Sequence, residues 1–265
     1  MSAHLVLIDA LNLIRRIYAV QERPFLLNNE LAESTKQQVL FNTQQATVNA
    51  IKKIIDLLQP THILTVFDSK NPCWRYDIFP DYKKGRKKMP EHLAQQLPYI
   101  QDELMMMKVD SLISETDEAD DLIATLTQKV ALKGKNVTIV STDKGFLSML
   151  NEHINVYDYF NKRYLDKAYV LEKFNVAPEQ LVDFWTLTGD STNKIPGVAG
   201  IGQVTAASLL NEYGTLSAIT AAEDLKTSMA KKLEEHTDTI ELSSKLLTLK
   251  DDIPLGFNLK DIRYQ

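Results

Sequence analysis

The chain has one cysteine, Cys73, in 265 residues. That excludes an intramolecular disulfide and a cysteine-built metal site, and it suits a reducing, cytoplasmic compartment. Taken alone, the thiol reads as a spectator. Long apolar runs are also missing: no window approaches the roughly 18 uninterrupted apolar residues that a membrane helix needs. The opening MSAHLVLIDALNLIRR has neither a basic leader nor a small-residue cleavage motif, so it reads as a strand and not as a secretion signal. Repeats and low-complexity segments are absent. Glycine is scarce, and five of the nine glycines fall between Gly189 and Gly214, a concentration expected where the backbone turns tightly or is closely approached. An excess of positive charge is lacking too. A net charge of −5 and an isoelectric point of about 5.6 argue at first against a partner as anionic as a nucleic acid.

The distribution of charge matters more than its sum. The run KKGRKK at 83–88 puts five cations into six residues, so a negative total is compatible with a locally positive groove. A hydrophobic fraction of 44% and a charged fraction of 25% are those of an ordinary soluble globular protein. The length allows one α/β domain with a smaller helical one beside it.

Three β-rich runs end in an aspartate or reach one within two residues: LVLID at 5–9, ILTVFD at 63–68 and VTIVSTD at 137–143. They read as buried parallel strands. Helical periodicity at 48–58 and 119–132 alternates with them, which predicts an α/β fold with an open, doubly wound, mostly parallel sheet. The stretch 79–108, with Pro80, Pro90 and Pro98, reads as a protruding basic loop leading into helices. Met105, Met106 and Met107 are expected to pack in the core. From about 167 the pattern changes to short helices and turns, so the expected division is 1–165 for the α/β unit and 166–265 for a helical one. The tail KKLEEHTDTIELSSKLL at 231–247 reads as one amphipathic helix.

In a sheet of this kind the ligand crevice lies beyond the carboxyl ends of the strands. Asp9, Asp68 and Asp143 are expected there, with Glu118, Asp120 and Asp121 opening a nearby helix. Singly, each is accounted for as a helix cap or an acidic first turn. Together they repel one another unless a counter-ion joins them, and a hard divalent cation such as Mg²⁺ prefers such oxygen ligands. The predicted chemistry is phosphoryl hydrolysis assisted by metal.

Two further features handle phosphate. Pro196 to Gly202, a GxxGxG turn before the helical run VTAASLLNEY, exposes N–H groups that bind phosphate without reading bases. A dinucleotide site is disfavoured, since no strand pattern precedes the glycines and the GxGxxG order is absent. In the basic run, Lys83 and Arg86 are candidates to orient a phosphate, and Tyr82 to stack on a base. Lys144 is a further possible phosphate contact.

As an ordered set, Ile8-Asp9-Ala10-Leu11-Asn12, Phe67-Asp68, Asp81-Tyr82-Lys83, Glu118-Ala119-Asp120-Asp121, Ser141-Thr142-Asp143-Lys144 and Ile195-Pro196-Gly197 resemble the 5′ nuclease family. That family includes the 5′ nuclease domain of DNA polymerase I and the flap endonucleases. The resemblance covers about residues 4–220 and is strongest to a bacterial flap-endonuclease branch. It implies a PIN-like 5′ nuclease core, a basic arch over about 80–107 and a helix-three-turn-helix over about 180–213. It also implies hydrolysis of DNA phosphodiesters at 5′ flaps or branched junctions, in replication or repair, by a monomer; no replication partner is indicated.

On the matching positions, Lys83, Arg86 and Asp120 would be catalytic. Mg²⁺, as one ion or two, or Mn²⁺ in its place, would be held by Asp9, Asp68, Glu118, Asp120, Asp121, Asp143 and Asp190. Backbone carbonyls of Leu187, Thr188, Pro196, Val198 and Ile201 would hold K⁺. DNA would meet Tyr82, Lys83, Lys84, Arg86, Gly200, Ile201, Gly202, Gln203, Val204 and Thr205. The sequence departs from the family pattern at Gly145 and Asn193, where carboxylates of a second metal cluster are expected. Those departures keep open an alternative, a weakly catalytic or degenerate protein that binds branched DNA.

Overall fold

A computed structural model describes residues 3–25 and 32–264. The chain opens with β1 (His4–Asp9), α1 (Ala10–Glu22), α2 (Glu33–Leu58) and β2 (His62–Phe67). It continues through α3 (Trp74–Ile78), α4 (Glu91–Met106), β3 (Asp110–Ile113), α5 (Ala119–Ala131) and β4 (Asn136–Val140). β5 (Ile154–Asp158) and β6 (Arg163–Tyr164) complete the sheet, in the order β3-β2-β1-β4-β5-β6. Every pairing is parallel except that of β6 with β5. Six helices follow: α6 (Lys167–Phe174), α7 (Leu181–Thr188), α8 (Gln203–Tyr213), α9 (Leu216–Ala221), α10 (Thr227–Glu235) and α11 (Thr237–Leu247).

The apolar runs of the central strands are continuous because both faces are buried. Successive side chains alternate faces: Leu5 and Leu7 of β1 join α5 and the C-terminal helices in one cluster, whereas Val6 and Ile8 join α1, α2 and α4 in the other. The three predicted strands are β1, β2 and β4. β3 escapes prediction because it is short and mostly exposed, so it has no apolar run; β6 has only two residues. The strand order reverses between β1 and β4, which puts a switch-point crevice just beyond Asp9 and residue 140.

Three expectations need correction. Met105 and Met106 are 66% and 82% exposed, because they lie on the outer face of α4 while Leu104, 1% exposed, carries its inner face at that level. The tail helix is two helices, broken at His236. The start of the basic loop does not protrude: the Lys83 N–H donates to the Asn193 carbonyl at 2.9 Å, and Tyr82 and Lys83 turn inward while Lys84, Arg86, Lys87 and Lys88 face solvent.

Candidate active site

Beyond the switch point lies an open crevice of about 1100 Å³, with Asp9, Asp68, Glu118, Asp120 and Asp143 on one side and the basic loop with Arg15 on the other. For three of these carboxylates the local reason for their position is a capping role. Asp9 caps α1, accepting from the Asn12 N–H at 3.2 Å; the Asp68 carboxylate accepts the Ala119 N–H at the start of α5 at 3.0 Å; Asp143 accepts the Gly145 N–H at 2.7 Å. The capping and crevice readings are both correct, because the strand ends that need caps are those that converge.

Their convergence perturbs them. Burial raises Asp9 to about 7 against the Ser141 hydroxyl bond, with Asp68 and Asp143 adding repulsion. Burial first, then the charges of Asp143 and Asp9, holds Asp120 well above the ordinary carboxylate range. Mutually repelling oxygens of this kind suit a hard divalent cation. Among the described residues, however, no three His, Cys, Asp or Glu side chains form a finished metal cage. Most of these oxygens are turned to nearby N–H and O–H donors, and ion binding would exchange those bonds.

Glu118 is the most heavily engaged. Its Oε2 accepts from Arg75 at 2.6 Å and from the Tyr82 hydroxyl at 3.2 Å, and Lys83 pairs with its Oε1. Burial would raise this carboxyl, but Lys83 and Arg75 outweigh it and hold Glu118 below its ordinary value.

Asp121 does not belong to the crevice. It is fully buried and faces away, with both oxygens taken by Arg75 at 2.7 and 2.8 Å, by the Trp74 indole N–H at 3.0 Å and by the Lys250 N–H at 3.0 Å. Neighbours on a helix point about 100° apart, so Asp120 and Asp121 cannot share one ion while Asp121 holds Arg75. Tyr82 is 4% exposed and packs edge-on against Tyr76, so it offers no face to a base.

Asp190 is buried in a small adjoining pocket that shares Lys83, Asp120 and Asp143 with the crevice, and three donors engage it. Its Oδ1 accepts from Lys144 at 3.0 Å and the Thr192 N–H at 3.0 Å, and its Oδ2 from the Asn193 amide at 2.9 Å. Asn193 thus occupies a second-cluster position as a donor. Gly145 has little room for a carboxylate, since a Cβ there would lie 3.2 Å from Asp143 Oδ1.

The glycine-rich turn joins α7 to α8. A Cβ on Gly197 would come within 2.4 Å of the Gly189 nitrogen, so only glycine lets the two backbone segments pack. The Leu187 carbonyl accepts the Val198 N–H at 2.8 Å, the Pro196 carbonyl accepts Ser243 at 2.7 Å and the Val198 carbonyl accepts the Ile201 N–H at 3.0 Å. Each keeps a second lone pair for a cation. Gly202 caps α8 with no side-chain acceptor, which leaves first-turn N–H groups outward. Gly200, Gly202, Gln203 and Val204 are exposed and Thr205 is partly so, whereas the Ile201 side chain is buried and only its backbone is on offer. Lys232, from α10, reaches the Gly200 carbonyl at 3.5 Å.

Sequence reasoning missed Arg15, Arg75, Trp74 and Lys232. None lies in a motif. Only a solitary arginine inside the apolar-aromatic run 73–79 hinted that Arg75 must be buried with partners.

The doubly wound sheet, its switch-point acids and the glycine-rich hairpin define an α/β protein of resolvase-like architecture with a helical appendage. Residues 4–175 match the model of the 5′–3′ exonuclease N-terminal resolvase-like domain, and residues 176–265 that of the 5′–3′ exonuclease C-terminal SAM fold. The chain belongs to the 5′–3′ exonuclease family. It is 66% identical over 268 residues to flap endonuclease Xni of Colwellia psychrerythraea, covering 99% of this chain and 92% of that one. It is 46% identical over 265 residues to flap endonuclease Xni of Psychromonas ingrahamii, covering 100% and 98%. The bacterial flap-endonuclease resemblance therefore holds over the whole chain.

Among solved structures, the T5 D15 protein co-crystallised with metal ions has a TM-score of 0.72 at 20% identity, over 93% of this chain and 89% of that one. The catalytic core of Rad2 in complex with DNA substrate has a TM-score of 0.54 at 11% identity, over 96% and 82%. At these identities the likeness is one of fold. No described helix is long and apolar enough to cross a membrane.

Proposed function

We propose that this chain is a divalent-metal-dependent, structure-specific 5′ nuclease that hydrolyses DNA phosphodiesters at 5′ flaps in replication or repair, acting as a monomer. The observation that carries this reading is the convergence of Asp9, Asp68, Asp120 and Asp143 in one crevice faced by Arg15, Lys84 and Arg86. The flap endonuclease names of the relatives agree with it.

Asp9, Asp68, Asp120 and the crevice-facing oxygen of Glu118 would hold Mg²⁺ or Mn²⁺, with Asp143 alongside. When bound, the ion supplies Lewis acidity, polarising the scissile phosphate, lowering the pKa of the attacking water and offsetting charge on the leaving oxygen. Lys83 pairs with Glu118 and would have to leave it to reach a phosphate. Arg86, exposed and without an ion-pair partner among the described residues, is the better first contact for incoming DNA. The outward N–H groups of Gly202 to Thr205 and the nearby Lys232 would grip duplex phosphates without reading sequence. Leu187, Thr188, Pro196, Val198 and Ile201 would hold K⁺ by their carbonyls; duplex affinity is then higher in K⁺ than in Li⁺ at matched ionic strength, and equal affinities count against that ion.

The deciding experiment incubates an end-labelled 5′-flap duplex with the pure protein in Mg²⁺ and in EDTA, beside Asp120→Ala. Cleavage near the junction that needs both Mg²⁺ and Asp120 supports the proposal. A second reading, a branched-DNA-binding protein without useful catalysis, is favoured by the three donors that already engage Asp190. Tight binding of an uncut flap at every Mg²⁺ or Mn²⁺ concentration would select it.

A further inference from the structure

Arg75 is among the largest fully buried side chains, at 2% exposed. Its five N–H donors all have acceptors. Nε donates to the Leu246 carbonyl at 2.9 Å; Nη1 to Glu118 at 2.6 Å and Asp121 at 2.7 Å; Nη2 to Asp121 at 2.8 Å and the Thr248 carbonyl at 3.2 Å. Trp74 lies over the guanidinium at 4.5 Å and donates to Asp121. The acceptors come from three places: the start of α5, the last turn of α11 and the segment just after it. One turn earlier in α11, Ser243 donates to the Pro196 carbonyl in the glycine-rich hairpin at 2.7 Å.

We propose that Arg75 is a positioning residue for Glu118 and is itself positioned by the end of α11, so that the helix braced against the hairpin also fixes one carboxylate of the crevice. The inference deepens the metal reading above and rests on it. The bidentate pair with Asp121 locks the plane of the guanidinium. The two carbonyls around the α11 terminus then set its depth. With plane and depth fixed, Nη1 holds Glu118 Oε2 and leaves Oε1 toward Lys83 and the crevice. A lysine cannot reproduce this, because a single ammonium serves at most three acceptors and has no plane.

If Arg75 only stabilised the fold, its replacement would lower the melting temperature in proportion to any other effect. Positioning predicts a separation of the two. Mg²⁺ binding to the full chain without DNA, followed by titration calorimetry beside thermal melts, distinguishes them. Arg75→Lys is expected to remain folded at the assay temperature and bind Mg²⁺ at least tenfold more weakly. Ile54→Ala opens a cavity in the core cluster on the α2 face of the sheet, which contains neither Arg75 nor its partners, so it should melt earlier with Mg²⁺ affinity unchanged.

Equal Mg²⁺ affinity in Arg75→Lys and the parent overturns the inference, and so does an equal loss of affinity in Ile54→Ala. If Arg75→Lys fails to fold, Trp74→Phe takes its place. It keeps a ring on the guanidinium, removes the indole bond to Asp121 and is expected to weaken Mg²⁺ binding two- to threefold; no change overturns the proposal. A parent that binds no Mg²⁺ overturns the metal reading itself, and Glu118→Gln binding as well as the parent removes Glu118 as the ligand being positioned.

Discussion

Asp120 and Asp121 are adjacent in sequence, open the same helix and yet live in opposite environments. Asp120 accepts no hydrogen bond among the described residues and is held above its ordinary pKa by burial and by Asp143 and Asp9. Asp121 is surrounded by donors, with a bidentate arginine, an indole N–H and a backbone N–H on its two oxygens. The rotation between consecutive helix positions is enough to put one acid into an uncompensated, ligand-ready state and the other into the frame of the molecule. The same contrast recurs at larger scale between Asp9, raised to about 7, and Asp190, engaged by Lys144, Thr192 and Asn193.

The sharpest way to break the first contrast is to neutralise each acid in turn. Asp120→Asn should lower cleavage by roughly a thousandfold, the scale at which a single charge-stabilising group is lost from an active site, while raising the melting temperature of the ion-free protein because a repelled charge is gone. Asp121→Ala should do the reverse to the fold. It leaves the Arg75 charge half-compensated in the interior, and breaking a buried ion pair from one side costs about 3–5 kcal/mol. Matched flap-cleavage assays and chemical denaturation separate the two; equal destabilisation by both substitutions would mean that Asp120 is also a structural acid.

Asn193→Asp tests the second contrast, with a smaller expected effect. The substitution replaces the amide that donates to Asp190 with a second carboxylate, which leaves Lys144 as the remaining side-chain cation on the pair. It should add a weak second Mg²⁺ site, seen as a further calorimetric transition, and shift the Mg²⁺ dependence of cleavage. Gly145→Asp is the less promising route, because the new Cβ meets Asp143 Oδ1 at 3.2 Å. An unchanged ion stoichiometry in Asn193→Asp would show that Lys144 alone closes the pocket around Asp190.

How far the sequence reveals this site follows from the kind of force involved. β1, β2 and β4 were legible because a strand buried on both faces must be apolar throughout, and an aspartate ending such a run stands out. Convergence of Asp9, Asp68 and Asp143 followed from topology alone, since parallel strands all end on one side. The inward turn of Tyr82 and Lys83 was not legible, because a basic run gives no sign of which cation finds a buried partner 35 residues away at Glu118. Nor was the burial of Asp121: its partners come from α3 and from the chain after α11, and no local pattern links those positions. The exposure of Met105 and Met106 was misread for a related reason, as the apolar run from Leu104 to Met107 does not show which of its residues face inward, and Leu104 does where these two methionines do not.

The smallest predicted effect is one of pH, and its sign follows from which form each environment favours. Asp9 and Asp120 have folded-state values above the unfolded 3.8, so the native state holds their protons more tightly and loses stability as pH rises from about 4, Asp9 contributing until about 7. Glu118 is lowered from 4.5; its contribution is present above that value and is lost only in more acid solution. Between about pH 5 and 7 the two raised aspartates therefore dominate this set, and the ion-free protein should melt at progressively lower temperature. A divalent ion must displace those same protons to bind. Its affinity should then rise with pH by up to about tenfold per unit for each proton released, the Asp9 share levelling off above about pH 7, and saturating Mg²⁺ should flatten the fall in melting temperature. Melts of the parent and Asp120→Asn across that range, with and without Mg²⁺, test the assignment: a pH slope that survives the substitution undiminished would place the repulsion elsewhere than on Asp120.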